Sequence, residues 1–210
     1  MGVDVLRWDG FRSVPWKNGG GTTREVASGV LRETPAQRTP TDHGPASGEP
    51  ADGFDWRVSV ADVAAEGSFS SFPGVDRVIT VVEGAGMVLT VDGTERKVGP
   101  LGPFAFPGDA ATDCRLAAGP VRNANVMTRR GRATAAVRVV PLPAAPGSEV
   151  ACAADETLLI VAATDGIALV GPGGGETALG RLDCVRHEGP KAPVLRGEGA
   201  VVEIRIGSVR

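Results

Sequence analysis

Hydrophobic positions recur at every second residue along much of this chain. Trp56, Val58 and Val60 alternate with Arg57, Ser59 and Ala61, which predicts one strand with an apolar face and a mostly polar one. Val78 to Val82 and Met87 to Val91 follow as β-branched strands, and Asp92-Gly93 is a two-residue hairpin turn into Thr94 to Val98. Gly99-Pro100, Gly102-Pro103 and Pro107-Gly108 keep the strands short, and no long 3.6-residue period appears. The pattern predicts an all-β, antiparallel chain with little helix.

A constant offset of eighty residues carries Val81 onto Val161, Gly86 onto Gly166, Met87 onto Ile167 and Leu89 onto Leu169, a faint duplication of strand, glycine turn and strand. Regularly spaced short strands suit a sandwich or barrel, and jelly-roll closure hides most sheet edges. Two stacked jelly-roll barrels are therefore expected, over 1–140 and 141–210, with the joint near Pro141 to Pro146 and strand exchange between them allowed. The last strand, Ala200 to Ile206, is expected to return and close a barrel. Residues 31–52 shift to Pro, Thr, Ser, Gly, Asp and Glu without apolar period, and read as a mobile insertion or a lid.

Composition narrows the function classes. Of 210 residues 42% are hydrophobic and 22% charged, ordinary for a globular protein, and a net charge of -3 offers no general attraction for a polyanion. The basic cluster Arg129-Arg130-Gly131-Arg132 is too short for a nucleic-acid footprint. Met1 to Arg7 lack the pattern of a secretory signal and no run approaches about 18 apolar residues, so a cytoplasmic protein with no membrane partner is expected. Cys114, Cys152 and Cys184 have no metal or redox spacing, and His43 and His187 stand alone. No metal and no cofactor are expected.

The chemistry concentrates in Trp16 to Glu25, which packs an aromatic, a cation, an amide, three glycines, two hydroxyls, a guanidinium and a carboxylate into one segment. It reads either as a ligand-facing segment or as a tight turn into an edge strand. With Trp56-Arg57-Val58-Ser59-Val60-Ala61, Gly67 to Arg77 and Asn125 to Gly131, it resembles, in order, the signature blocks of the HutD/Ves family. The likeness is specific from Val5 to Gly131 and diffuse from Ala135 to Arg210. It implies a two-barrel cupin (bicupin), encoded with histidine-catabolism genes and forming a homodimer, that binds a small pathway metabolite and limits pathway expression.

Cupins usually hold a metal through an HxH pair, a glutamate and a later histidine. Counting back from Gly84 puts Arg77 at the glutamate's place, and Phe69 to Pro73 stand where the histidine pair is missing. A cation in place of an anionic ligand favours an anion in the pocket. Arg24, Arg57 and Arg77 are candidate carboxylate clamps, because guanidinium presents a rigid fork of donors. Arg57 shares a polar strand face with Ser59. Lys17 is one of only three lysines, Asn18 either binds ligand or caps a turn, and Thr22 adds a hydroxyl. Asn125 shares a strand face with Asn123 and Met127. Asn123-Ala124 departs from the family's Asp-Phe pair, which bears on ligand identity. Asp76 either compensates or pairs with Arg77, and Phe69 and Phe72, with Pro73 and Gly74, either cover the pocket mouth or fill core.

These residues predict a metal-independent sensor of a small anionic metabolite, urocanate or N-formylglutamate, that modulates histidine utilisation through a regulatory protein, without direct contact with nucleic acid. The alternative is a metal-independent isomerase or hydrolase on the same ligands, with Lys17, Glu25, Asp76 or Glu83 carrying protons.

Overall fold

The computed structural model describes residues 3–31, 53–142, 148–149, 156–189 and 193–209. The expected insertion beyond Leu31, with His43, lies outside the described residues, as do Cys152 and the joint from 143 to 147. In chain order the first strands are β1 (Val3–Leu6), β2 (Ser13–Pro15), β3 (Gly21–Gly29), β4 (Trp56–Val63), β5 (Gly67–Ser68), β6 (Val75–Glu83), β7 (Met87–Val91), β8 (Thr94–Val98), β9 (Phe104–Pro107), β10 (Thr112–Leu116) and β11 (Val121–Arg129). They continue as β12 (Ala133–Leu142), β13 (Ser148–Glu149), β14 (Thr157–Ala162), β15 (Ile167–Val170), β16 (Glu176–Leu179), β17 (Cys184–Glu188), β18 (Val194–Gly197) and β19 (Gly199–Ser208). A single 3-10 turn at Trp8–Gly10 is the helical content among the described residues.

The strands build four sheets. A six-stranded sheet, β2-β3-β4-β11-β6-β9, faces a four-stranded one, β5-β10-β7-β8; a five-stranded sheet, β1-β17-β14-β19-β12, faces β13-β18-β15-β16. Ile79, Val81 and Val121 meet Met87, Leu89 and Val98 inside the first sandwich. Leu158, Ile160 and Val201 meet Ile167, Leu169 and Leu195 inside the second. The two larger sheets then pack back to back. Trp56, Val58 and Val126 lie against Leu159, Val202 and Ile204 in the largest core cluster, which ties the halves together.

No sheet closes on itself, so the closed jelly-roll barrels expected from strand spacing are open double-sheet sandwiches. The passage from β8 to β9 crosses Pro100 and Pro103, which have no backbone N–H to carry a ladder round the corner. β19 does not close a barrel either; it runs in mid-sheet between β14 and β12. β1 and β12 hydrogen-bond into the five-stranded sheet, pairing Val3 with His187 and Ala133 with Ser208.

The Asp92-Gly93 turn forms as the sequence predicts, with φ of 45° and 79°, the mirror-image geometry that suits strand twist. The eighty-residue offset holds at Met87 and Ile167 and at Leu89 and Leu169, which face their own sandwich interiors. It fails one strand earlier, since Val81 faces inward and Val161 faces the central core. The second turn is one residue longer, 163–166 against 84–86, and a shift of one residue exchanges the faces of a strand.

Candidate functional site

Because its outer face supplies the central core, the inner face of the six-stranded sheet is free to be polar. β4, β11 and β6 set three cross-strand rows: Arg57, Met127 and Arg77; Ser59, Asn125 and Ile79; Ala61, Asn123 and Val81. β3 extends two of them, placing Glu25 beside Ser59 and Thr23 beside Ala61. These rows floor a cavity of about 700 Å³ that Trp16, Lys17, Phe69 and Phe72 also line.

Arg57 and Arg77 dominate its electrostatics. The Arg77 side chain is buried, with its guanidinium carbon 4.9 Å from the Phe106 ring, 5.3 Å from Phe69 and 5.4 Å from Phe72. Its Nε and Nη2 donate to Asn125 Oδ1 at 3.4 and 3.3 Å, and Asn125 Nδ2 donates to Ser59 Oγ at 3.5 Å. Arg57 lies 4.8 Å from the Phe54 ring and donates from Nη2 to Met127 Sδ at 3.1 Å, while its Nε is buried without a partner. Neither guanidinium is ion-paired among the described residues. Burial, and after it the charge of Arg57, lowers the Arg77 pKa from the ordinary guanidinium range to about 10, so it stays protonated at neutral pH. A buried and a half-buried guanidinium thus face the cavity without an ion-pair partner among the described residues, an arrangement suited to an anion.

Of the nine residues expected to bind ligand, the cavity gathers Lys17, Asn18, Arg57, Ser59, Arg77, Asn125 and Met127. Thr22 and Arg24 lie elsewhere. They pair with Asp62 and Val60 on the outer face of the sheet, where Thr22 Oγ1 donates to Asp62 Oδ2 at 3.1 Å and Arg24 stacks 4.2 Å from the Trp8 ring. Thr23 and Glu25 take the inner places instead. Phe69 and Phe72 line the cavity beside the guanidiniums and also pack against buried core clusters, so each serves both of its expected roles. Asn18 Oδ1 accepts from the Gly20 amide at 3.0 Å, so it caps its turn at the rim of the cavity. Asp76 pairs with Arg130 at 2.7 Å rather than with Arg77.

Charges outside the cavity are largely neutralised. Arg130 also pairs with Asp109 at 2.8 Å and Arg132 with Asp55 at 3.2 Å, which accounts for two members of the basic cluster. His187 is buried, with Nε2 2.8 Å from the Gly189 carbonyl. Among the described residues no group of three or more His, Cys, Asp or Glu is placed to hold a metal ion, and no helix is long and apolar enough to cross a membrane.

The glycine segment positions Trp16 in the cavity lining. A Cβ on Gly21 would stand 2.2 Å from the Asp62 carbonyl oxygen and 3.2 Å from the Trp16 ring, so only glycine allows β3 to start here with Trp16 folded over it. Trp16 Nε1 donates to Thr23 Oγ1 at 2.7 Å, and its ring meets Phe69 edge-on at 6.2 Å. Gly21→Ala is expected to cost about 2 kcal/mol in urea unfolding and to shift the tryptophan emission; unchanged stability and emission would remove the steric reason for this glycine.

Fold and cavity together define an all-β protein with an arginine-lined cavity in one of two back-to-back sandwiches. The HutD family model matches residues 9–202, and the chain belongs to the HutD family. It is 34% identical over 188 residues to an uncharacterized 21.2 kDa protein in the hutC 3′ region of Pseudomonas putida, covering 89% of this chain and 87% of that one. Protein Ves of Citrobacter koseri is 38% identical over 126 residues, 59% of this chain and 56% of its own. The solved structure of HutD from Pseudomonas fluorescens SBW25, in a formate condition, superposes with a TM-score of 0.76 at 33% identity, covering 100% of both chains.

Proposed function

We propose that the protein is a metal-independent sensor that receives a carboxylate intermediate of histidine degradation, urocanate or N-formylglutamate, in the first sandwich and modulates histidine utilisation through a regulatory protein. The observation that carries this reading is the pair Arg57 and Arg77, buried or half-buried on aromatic rings, open to one cavity and lacking carboxylate partners among the described residues. A carboxylate seated above Met127 meets both forks, and the surrounding rings and thioether cover its hydrocarbon part. The position of the Pseudomonas putida relative beside hutC supports the choice of pathway.

The same reading takes the two sandwiches as the halves of a bicupin, divided near residue 140, with the ligand held in the first. A cytoplasmic homodimer completes the proposal. Its signal passes to another protein and not directly to nucleic acid.

Thermal shift tests it. A ligand at about 100 times its dissociation constant stabilises the native state by roughly 2.7 kcal/mol, which is about 5–10 °C for a chain of this size. Wild type is expected to gain this protection from at least one of the two metabolites at millimolar concentration, and Arg57→Ala to lose most of it. No protection by either, or full protection of Arg57→Ala, overturns the proposal. Consumption of either metabolite, lost in Lys17→Ala or Glu25→Gln while binding survives, would replace the sensor with an isomerase or hydrolase.

A further inference from the structure

An anion cavity has no electrostatic use for a carboxylate of its own, yet this one contains Glu25. It is the sole acidic side chain among the lining residues, and it shares the cavity with the cations Lys17, Arg57 and Arg77. Among the described residues it pairs with none of them. Its one hydrogen bond is from Ser28 Oγ to Oε1 at 2.7 Å, which leaves the second oxygen without a protein donor.

A second polar group is left open in the same part of the cavity. Asn123 is 3% exposed and lines the cavity, and its amide makes no hydrogen bond to any described residue. Asn125, one row away, is already engaged by Arg77 and Ser59, and the Thr23 hydroxyl already accepts from Trp16. That leaves the Asn123 amide open to a hydrogen bond from whatever occupies the cavity.

The rows give these groups a direction. Arg57, Met127 and Arg77 form the first row, Glu25 joins the second, and Asn123 belongs to the third. At the rise of an extended strand, the Met127 and Asn123 backbones stand ~13 Å apart. The two guanidiniums thus mark one end of these rows, with Glu25 one row on and Asn123 two rows on.

We propose that Glu25 and Asn123 make the cavity selective for a bifunctional ligand, one whose carboxylate sits on Arg57 and Arg77 and whose far end carries an N–H for the Glu25 carboxylate. This rests on the carboxylate-binding reading above and adds a condition to it. An anion without the far donor leaves Glu25 unanswered beside its own negative charge, and an anion with one turns that repulsion into a charge-assisted hydrogen bond.

Titration calorimetry with urocanate and trans-cinnamate separates the two statements. Both are planar acrylates of similar length, and cinnamate replaces the imidazole with a phenyl ring that has no N–H. Wild type is expected to bind urocanate at least about tenfold more tightly. Glu25→Ala, at an exposed position, should narrow the ratio to about threefold or less by weakening urocanate, with cinnamate held or improved. Asn123→Ala should narrow it in the same direction.

Equal binding of the two by wild type, or a ratio unchanged in both variants, overturns the bifunctional ligand. If cinnamate and urocanate bind equally and both are lost in Arg57→Ala, the anion site stands and this inference alone falls. If neither they nor formate bind wild type, the anion site falls and takes the inference with it.

Discussion

Replacing Arg77 with methionine is expected to abolish protection by small carboxylates and, in the same variant, to raise the melting temperature of the ligand-free protein. The two effects have one origin. Arg77 keeps its charge in a buried place without a carboxylate, held by long hydrogen bonds to Asn125 and by aromatic faces. Burial, aided by Arg57, depresses its pKa from the ordinary guanidinium range to about 10, so folding disfavours the charged form. Below about pH 10 the group is protonated in both states and the penalty is present in full; between about pH 10 and the ordinary guanidinium range the unfolded chain binds more protons, and stability rises with pH as the penalty is relieved. At neutral pH the shift corresponds to a penalty on the order of 3 kcal/mol.

Methionine keeps an unbranched, flexible apolar stem, shorter than that of arginine, without the charge. After allowing for the donors lost to Asn125, Arg77→Met should gain about 1–2 kcal/mol, which is roughly 2–8 °C. Carboxylate affinity should fall about 100-fold, because one of two charge-assisted forks is removed from a dry site. Scanning fluorimetry without ligand and calorimetry with urocanate read the two halves separately. A destabilised variant that still binds carboxylate would show that Arg77 is structural.

The inner face of β4 was legible because its outer face is strictly apolar. Trp56, Val58 and Val60 fix which side meets the core, so Arg57 and Ser59 must point the other way, and the same parity places Asn123, Asn125 and Met127 on β11. β3 gave no such anchor. Thr22, Thr23, Arg24 and Glu25 are polar on both faces, and a bulge between Glu25 and Ala27 breaks the alternation before Val26 and Ala27 enter the core. The expected site therefore contained Thr22 and Arg24, whose side chains lie on the far side of the sheet, and omitted their neighbours.

Phe69 and Phe72 illustrate a different gap. Their side chains fit pocket mouth or core equally until the guanidiniums are placed beside them, and that placement comes from β4 and β6, not from local sequence. The open sheets were equally hidden, because closure depends on how strands distant in sequence meet. Strand existence and hairpins follow from local pattern; which sheet a strand joins does not, as β1 and β12 show by pairing with β17 and β19.

Ile204→Ala is expected to destabilise the whole chain by about 3–4 kcal/mol in a single cooperative transition, lowering the melting temperature by roughly 6–15 °C. Ile204 is fully buried, pairs with Leu159 and Val137 across neighbouring strands, and belongs to the cluster in which Trp56 and Val58 meet the five-stranded sheet. That cluster is the reverse side of the sheet that floors the cavity, so the second sandwich supports the site through its packing. Two separate calorimetric transitions, with only one displaced by the substitution, would show that the halves fold independently. Carboxylate affinity measured well below the new melting temperature should stay within about twofold of wild type, since Arg57 and Arg77 stand on the opposite face. An affinity loss matching the stability loss would mean instead that the central core holds the two guanidiniums in register.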